Sequence, residues 1–144
     1  MTRGEEAVEL ARSWIGTPYR HQAAVCGAGA DCLGLIRGVW CGLYGQEPEA
    51  VPAYTPDWSE PQGEERLWSA ALRHLRAGPP GQPVLPGQVL LFRMRDGAVA
   101  KHLGIAAGLN GQTSFVHSYS GHGVVESPLS DPWRRRIAAR FEFP

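Results

Sequence analysis

The chain has 144 residues, a length that suits one domain built around one core. A hydrophobic content of 43% and a charged content of 19% describe a water-soluble globule. Lys plus Arg and Asp plus Glu each number 14, so no net field draws the chain to nucleic acid or to an anionic membrane surface.

Thr2 to Glu5 has the T-x-x-E form of a capping box. Ala7, Val8, Leu10, Ala11, Trp14 and Ile15 then recur at helical spacing, and Gly16 with Pro18 stops this first helix. Thr17 to Ala30 reads as a Gly-containing loop. Asp31 opens a second helix, in which Cys32, Leu35, Ile36, Val39, Trp40 and Leu43 form one apolar stripe and Gly42 and Gly45 bracket the end. Pro48, Pro52 and Pro56 make the next stretch irregular. A third helix, starting at Ser59 or Pro61, carries Leu67, Trp68, Ala71, Leu72 and Leu75 and ends at Gly78-Pro79-Pro80. Strands follow: Val89 to Phe92, Leu103 to Ala107, Thr113 to Ser118, Val124 to Ser127 and Ile137 to Phe143. Helices first and an antiparallel meander second is an α+β layout in a single domain, 1–144.

The opening Met1-Thr2-Arg3-Gly4-Glu5-Glu6 leads into no signal-like apolar run, and no stretch approaches the roughly 20 apolar residues of a membrane span. Synthesis in a cytoplasm without a signal peptide is the expectation. Arg134-Arg135-Arg136 reads as a solvated face. Cys26, Cys32 and Cys41 cannot all pair within the chain, and their spacing fits no compact zinc knuckle, so free thiols are expected.

Cys32 is the candidate nucleophile. It lies in the first turn of a helix, where the positive dipole end and unpaired N–H groups favour a thiolate. The capping Asp31 opposes that effect, and the alternative is a small buried hydrophobe. Cys41 lies late in the helix, where the dipole has the wrong sign, and Cys26 has no helix behind it. His102 and His117 flank a predicted hairpin. A four-residue loop, 108–111, sets them directly opposite; a two-residue Asn110-Gly111 loop sets Gly104 opposite His117 and leaves His102 as its diagonal neighbour. Either way both rings share a face, within roughly 5–8 Å. One imidazole can take the thiol proton while the other fixes its tautomer. His122 is a weaker candidate for that third position. His21 reads as a loop residue and His74 as a solvated helix residue. Tyr19 either donates to an oxyanion beside the Cys32 N–H or packs the loop on the first helix.

Five ordered stretches, Gly16-Thr17-Pro18-Tyr19, Asp31-Cys32-Leu33-Gly34-Leu35, Pro86-Gly87-Gln88-Val89-Leu90-Leu91-Phe92, His102-Leu103-Gly104-Ile105 and Phe115-Val116-His117-Ser118, resemble the NlpC-family papain-like cell-wall peptidases. The form Gly-Thr-Pro-Tyr-Arg-His-Gln followed by Asp-Cys-Leu-Gly-Leu is most similar to the branch encoded with phage and gene-transfer-agent tail genes. The resemblance implies a papain-like α+β fold with N-terminal helices packed on an antiparallel sheet. It implies Cys32 as nucleophile, His102 as base, His117 as third polar residue, Tyr19 on the oxyanion side, and no metal or other cofactor. It further implies cleavage of peptidoglycan stem peptides, typically between D-γ-glutamyl and a diamino acid, by a virion or phage-like tail component with tail-tip or hub proteins as partners. Leu33 departs from the family's serine after the cysteine, Gln88 from its aspartate, and the 47–83 stretch is longer than the family minimum. An inactive structural tail module, an amidase or acyltransferase on the same scaffold, and a metal-binding module are the rival readings.

Overall fold

A computed structural model of the chain describes residues 1–56, 63–79 and 81–144. Helix α1 (Arg3–Ser13) starts at its capping box: Thr2 Oγ1 accepts from the Glu5 N–H at 3.1 Å, and Glu5 accepts from the Thr2 N–H at 3.0 Å. It buries Ala7, Val8 and Ala11 and is capped at Trp14. Ile15, counted on its apolar stripe, therefore lies beyond the helix and is 46% exposed.

The loop after Pro18 contains structure that its composition did not suggest. Strands β1 (Ala24–Val25) and β2 (Gly29–Ala30) pair in it. Tyr19 bridges Ala30 in parallel, with the Ala30 N–H donating to the Pro18 carbonyl at 3.0 Å and the Arg20 N–H to the Ala30 carbonyl at 3.2 Å. This lays Tyr19 beside the start of α2 (Cys32–Tyr44), which ends at Gly45 with φ 90°. Helix α3 (Arg66–His74) buries Leu67 and Ala71. Its expected starts, Ser59 and Pro61, lie outside the described residues, and Leu72 is exposed rather than packed. Glu65 fastens the start of α3 to the sheet, accepting from the Ala100 N–H at 2.7 Å and from Arg93 at 2.9 Å.

The sheet comprises β3 (Arg76–Ala77), β4 (Val89–Arg93), β5 (Ala100–Leu109), β6 (Gln112–Tyr119), β7 (Gly123–Pro128) and β8 (Ile137–Glu142), in the order β3-β8-β4-β5-β6-β7. Every pairing is antiparallel. Strand β8 closes back on β4, and a short helix, α4 (Asp131–Arg135), precedes it. Side chains alternate with period two. Val89, Leu91, Leu103, Ile105 and Val116 face α1 and α2, whereas Leu90, Phe92, Ala106 and Phe115 face a second cluster under Leu129 and Trp133. Both faces are covered, which is why β4 is apolar almost throughout.

The β5–β6 hairpin turns on Asn110 and Gly111, with φ 53° and 77°, a two-residue turn of the primed kind. Leu109 faces Gln112 and Ile105 faces Val116. Of the two registers open to the sequence, the two-residue loop is the one adopted. Continuing it puts Gly104 opposite His117, where a Cβ on Gly104 would lie 3.3 Å from the His117 Cβ and 2.8 Å from the Phe115 ring. No helix among the described residues is long and apolar enough to cross a membrane.

Candidate active site

The start of α2 is fixed by Asp31, which is 2% exposed. Its Oδ1 accepts from the Gly34 N–H at 2.7 Å, an N-cap bond. Its Oδ2 accepts from the Gln22 N–H at 2.7 Å and from the Tyr54 hydroxyl. His21 and Gln22 complete the arrangement: His21 Nε2 lies 2.9 Å and Gln22 Nε2 2.7 Å from the Tyr54 carbonyl oxygen. The Pro-rich stretch is thus latched through Tyr54 onto the residue that precedes the cysteine. Sequence reasoning missed Tyr54, because nothing in its neighbourhood marks it among the prolines. It also read His21 as a plain loop residue.

Cys32 reaches the sheet through an opening in the ladder. The Ala106 N–H donates to the Gln88 carbonyl and the Gly87 N–H to the Ala106 carbonyl, both at 2.8 Å, so the backbone groups of Ala106 face β4. By alternation those of Leu103 face β6, and a register shift leaves Lys101 without a partner on β4. The β5–β6 ladder ends at Ile105 and Val116, however. Beyond that point the Leu103 N–H meets Cys32 Sγ, and the thiol donates to the Lys101 carbonyl at 3.7 Å. The sulfur stands where a strand partner would be, against the backbone on either side of His102.

His102 Nε2 lies 2.8 Å from His117 Nδ1, and His117 Nε2 lies 2.9 Å from Ser127 Oγ. Both imidazoles are buried, with Phe92, Phe115, Tyr119 and Trp133 packed around them at ring separations of 4.1–5.8 Å. A cleft of about 130 Å³ is lined by Tyr19, Asp31, Cys32, Lys101, His102 and Tyr119. The structure therefore brings Cys32, His102 and Tyr19 to one cleft and places His117 behind His102. His122 is not the partner of His102; it stacks on Tyr119 at 5.3 Å. His74 pairs with Glu49 at 2.9 Å and is less solvated than its helix position suggested.

The electrostatics correct one expectation. Burial, with the Asp31 carboxylate adding to it, pushes the Cys32 thiol up to about 12. The N–H groups of Leu103, Leu33 and Cys32 pull the other way, as a helix start should, and are outweighed. Burial and then the charge of His117 hold His102 down to about 3; burial and then His122 hold His117 down to about 4. All three directions favour a neutral thiol beside two neutral imidazoles at rest over a preformed thiolate. The Tyr19 phenol is raised, by burial first and then by Cys32 and Asp31, so it stays a donor near the sulfur.

All three cysteines are free, Cys26 exposed and Cys41 half-buried. Among the described residues no cluster of His, Cys, Asp or Glu is arranged to hold a metal ion. Leu33 lines a separate, larger cavity of about 690 Å³ between α2, α3 and the Tyr54 stretch, not the cleft of Cys32.

No protein-family model matches the chain, and no curated protein matches it in sequence. Solved structures do resemble it. NlpC1 of Trichomonas vaginalis has 21% identity and a TM-score of 0.60, over 97% of this chain and 43% of that one. NlpC2 of the same organism has 20% identity and a TM-score of 0.65, over 98% and 46%. An NlpC/P60 family protein from Bacillus cereus has 19% identity and a TM-score of 0.64, over 97% and 40%. The chain spans less than half the length of the structures it matches. The likeness establishes the fold, a papain-like α+β architecture of the NlpC/P60 kind.

Proposed function

We propose that the chain is a cysteine peptidase acting on the peptide stems of bacterial peptidoglycan. One observation carries the reading: a helix-start cysteine and a histidine line the same cleft, and the histidine is hydrogen-bonded through Nε2 to a second one. Nδ1 of His102 is then the nitrogen left for the thiol proton. As Sγ attacks the scissile carbonyl, its proton passes to His102 Nδ1, and thiolate and imidazolium form together, each favouring the other. The oxyanion meets the Cys32 N–H and the Tyr19 hydroxyl. His102 returns its proton to the departing amine, and water, deprotonated by His102, releases the acid from the thioester.

The substrate class rests on the five ordered motifs and on the fold shared with NlpC/P60 proteins. By the same resemblance the scissile bond is D-γ-glutamyl to diamino acid, and the working context is a phage-like tail delivering the domain to the wall. A second reading, a structural tail module without turnover, draws on the buried and neutral state of Cys32. Digestion of diaminopimelate-type peptidoglycan, with mass mapping of the fragments, decides between them. The peptidase releases new amines within the stem and Cys32→Ala releases none. An intact stem freed from the glycan indicates an amidase instead, and equal fragments from both variants remove the nucleophile assignment.

A further inference from the structure

We propose that Ser127 is a positioning residue of this site: its hydroxyl, 2.9 Å from His117 Nε2, accepts the terminal hydrogen bond of the imidazole pair and thereby keeps His102 Nδ1 open as the base. The inference rests on the peptidase reading for its catalytic consequence, but not for its geometry.

The three groups form a diagonal row across three strands. His117 pairs with Val125 and Phe115 with Ser127, so Ser127 is the diagonal neighbour of His117 on β7, as His102 is on β5. A neutral imidazole carries one N–H and one lone pair. Two proton arrangements satisfy both contacts. In the first, His102 Nε2–H donates to His117 Nδ1 and His117 Nε2–H donates to Ser127 Oγ; His102 Nδ1 keeps its lone pair. In the second every bond reverses, the Ser127 hydroxyl donates, and His102 Nδ1 holds a proton and can accept none.

Only the first arrangement survives protonation of His102. The imidazolium carries hydrogen on both nitrogens, so its Nε2–H must donate, His117 Nδ1 must accept, and the His117 proton must sit on Nε2. That N–H belongs to a ring 1% exposed, and Ser127 is the acceptor that keeps it from being buried unpaired. Half-buried itself, Ser127 can turn its own hydrogen toward solvent. Removing the hydroxyl penalises the state in which His102 holds the thiol proton and leaves substrate binding alone.

Ser127→Ala is therefore expected to lower kcat for amine release about tenfold, the scale of one hydrogen bond, at unchanged KM. Ser127→Thr keeps a hydroxyl on a strand-compatible residue and is expected to restore it. Independently of turnover, nitrogen-15 imidazole shifts should show His117 protonated at Nε2 and His102 bare at Nδ1 in the unsubstituted protein, with that population reduced in Ser127→Ala and recovered in Ser127→Thr. A protein that cleaves nothing but whose tautomers respond in this way refutes the peptidase reading and supports the Ser127 assignment. Unchanged tautomers in Ser127→Ala overturn the assignment, as does an equal loss of kcat in the alanine and threonine variants.

Discussion

Cys32 stands under opposed influences, and their balance decides its resting state. The helix start and the Leu103 N–H favour a thiolate, while burial and Asp31 favour the thiol and prevail. Asp31 acts as both cap and electrostatic brake, so one substitution separates the two roles. Asp31→Asn keeps an oxygen for the Gly34 N–H but removes the negative charge beside the sulfur. The pH at which Cys32 is alkylated should fall by roughly one unit. Stability should also drop, because an amide nitrogen in place of Oδ2 would face two donors, the Gln22 N–H and the Tyr54 hydroxyl. Iodoacetamide labelling against pH, resolved by peptide mapping with exposed Cys26 as reference, reads the first effect, and a denaturant melt reads the second. An unshifted Cys32 profile would show that the carboxylate does not hold the thiol up.

At the scale of elements, the site depends on how closely the 17–30 loop approaches the first turn of α2. A Cβ on Gly34 would lie 1.8 Å from the Ala23 carbonyl oxygen, a backbone atom with no freedom to swing away. Gly34→Ala should push the loop, and Tyr19 with it, off the helix. The expected loss is about 3 kcal/mol in a denaturant melt, with faster proteolytic cutting inside residues 17–30. A variant as stable and as resistant as the original would mean that the approach is looser than described. The sequence made much of this level legible. The T-x-x-E box and the Asp31 cap are local signals that set α1 and α2, whereas the β5–β6 register stood open between two loop lengths and is closed by the Asn110-Gly111 turn. The place of Cys32 at a helix start and the shared face of His102 and His117 were legible because helix position and strand parity are short-range quantities. Ser127 and Tyr54 were not. The first meets His117 only through the β6–β7 register, and the second meets Asp31 across 23 positions of proline-rich chain with no periodicity to read. The neutral state of the thiol was also hidden, since burial is a property of the packed whole.

The molecule as a whole assembles its candidate site from two halves, the thiol from the helices and the imidazoles from the sheet, and burying all three groups couples their protonation to stability. An unfolded histidine gains its proton as pH falls through about 6.5, whereas folded His117 and His102 resist until about 4 and about 3. Over that interval the unfolded chain binds more protons, so stability falls as pH falls, on the order of 1 kcal/mol per pH unit for each proton the fold excludes. The carboxylates Glu49 and Glu126 are lowered from 4.5 by Arg73 and Arg12, so their stabilisation is lost only further down, as pH falls below that value. Between pH 6.5 and 4.5 the imidazole pair should dominate. On the alkaline side an unfolded thiol ionises from about 9 while Cys32 holds its proton to about 12, so stability declines again as pH rises through that range. Denaturant melts should therefore show a plateau between pH 6.5 and 9 with a slope on each side, and His117→Gln should roughly halve the acid slope. A flat profile from pH 6.5 to 4.5 would mean that the imidazoles are not held neutral in the fold. The neutral resting site, on which the joint formation of thiolate and imidazolium depends, would then have to be abandoned.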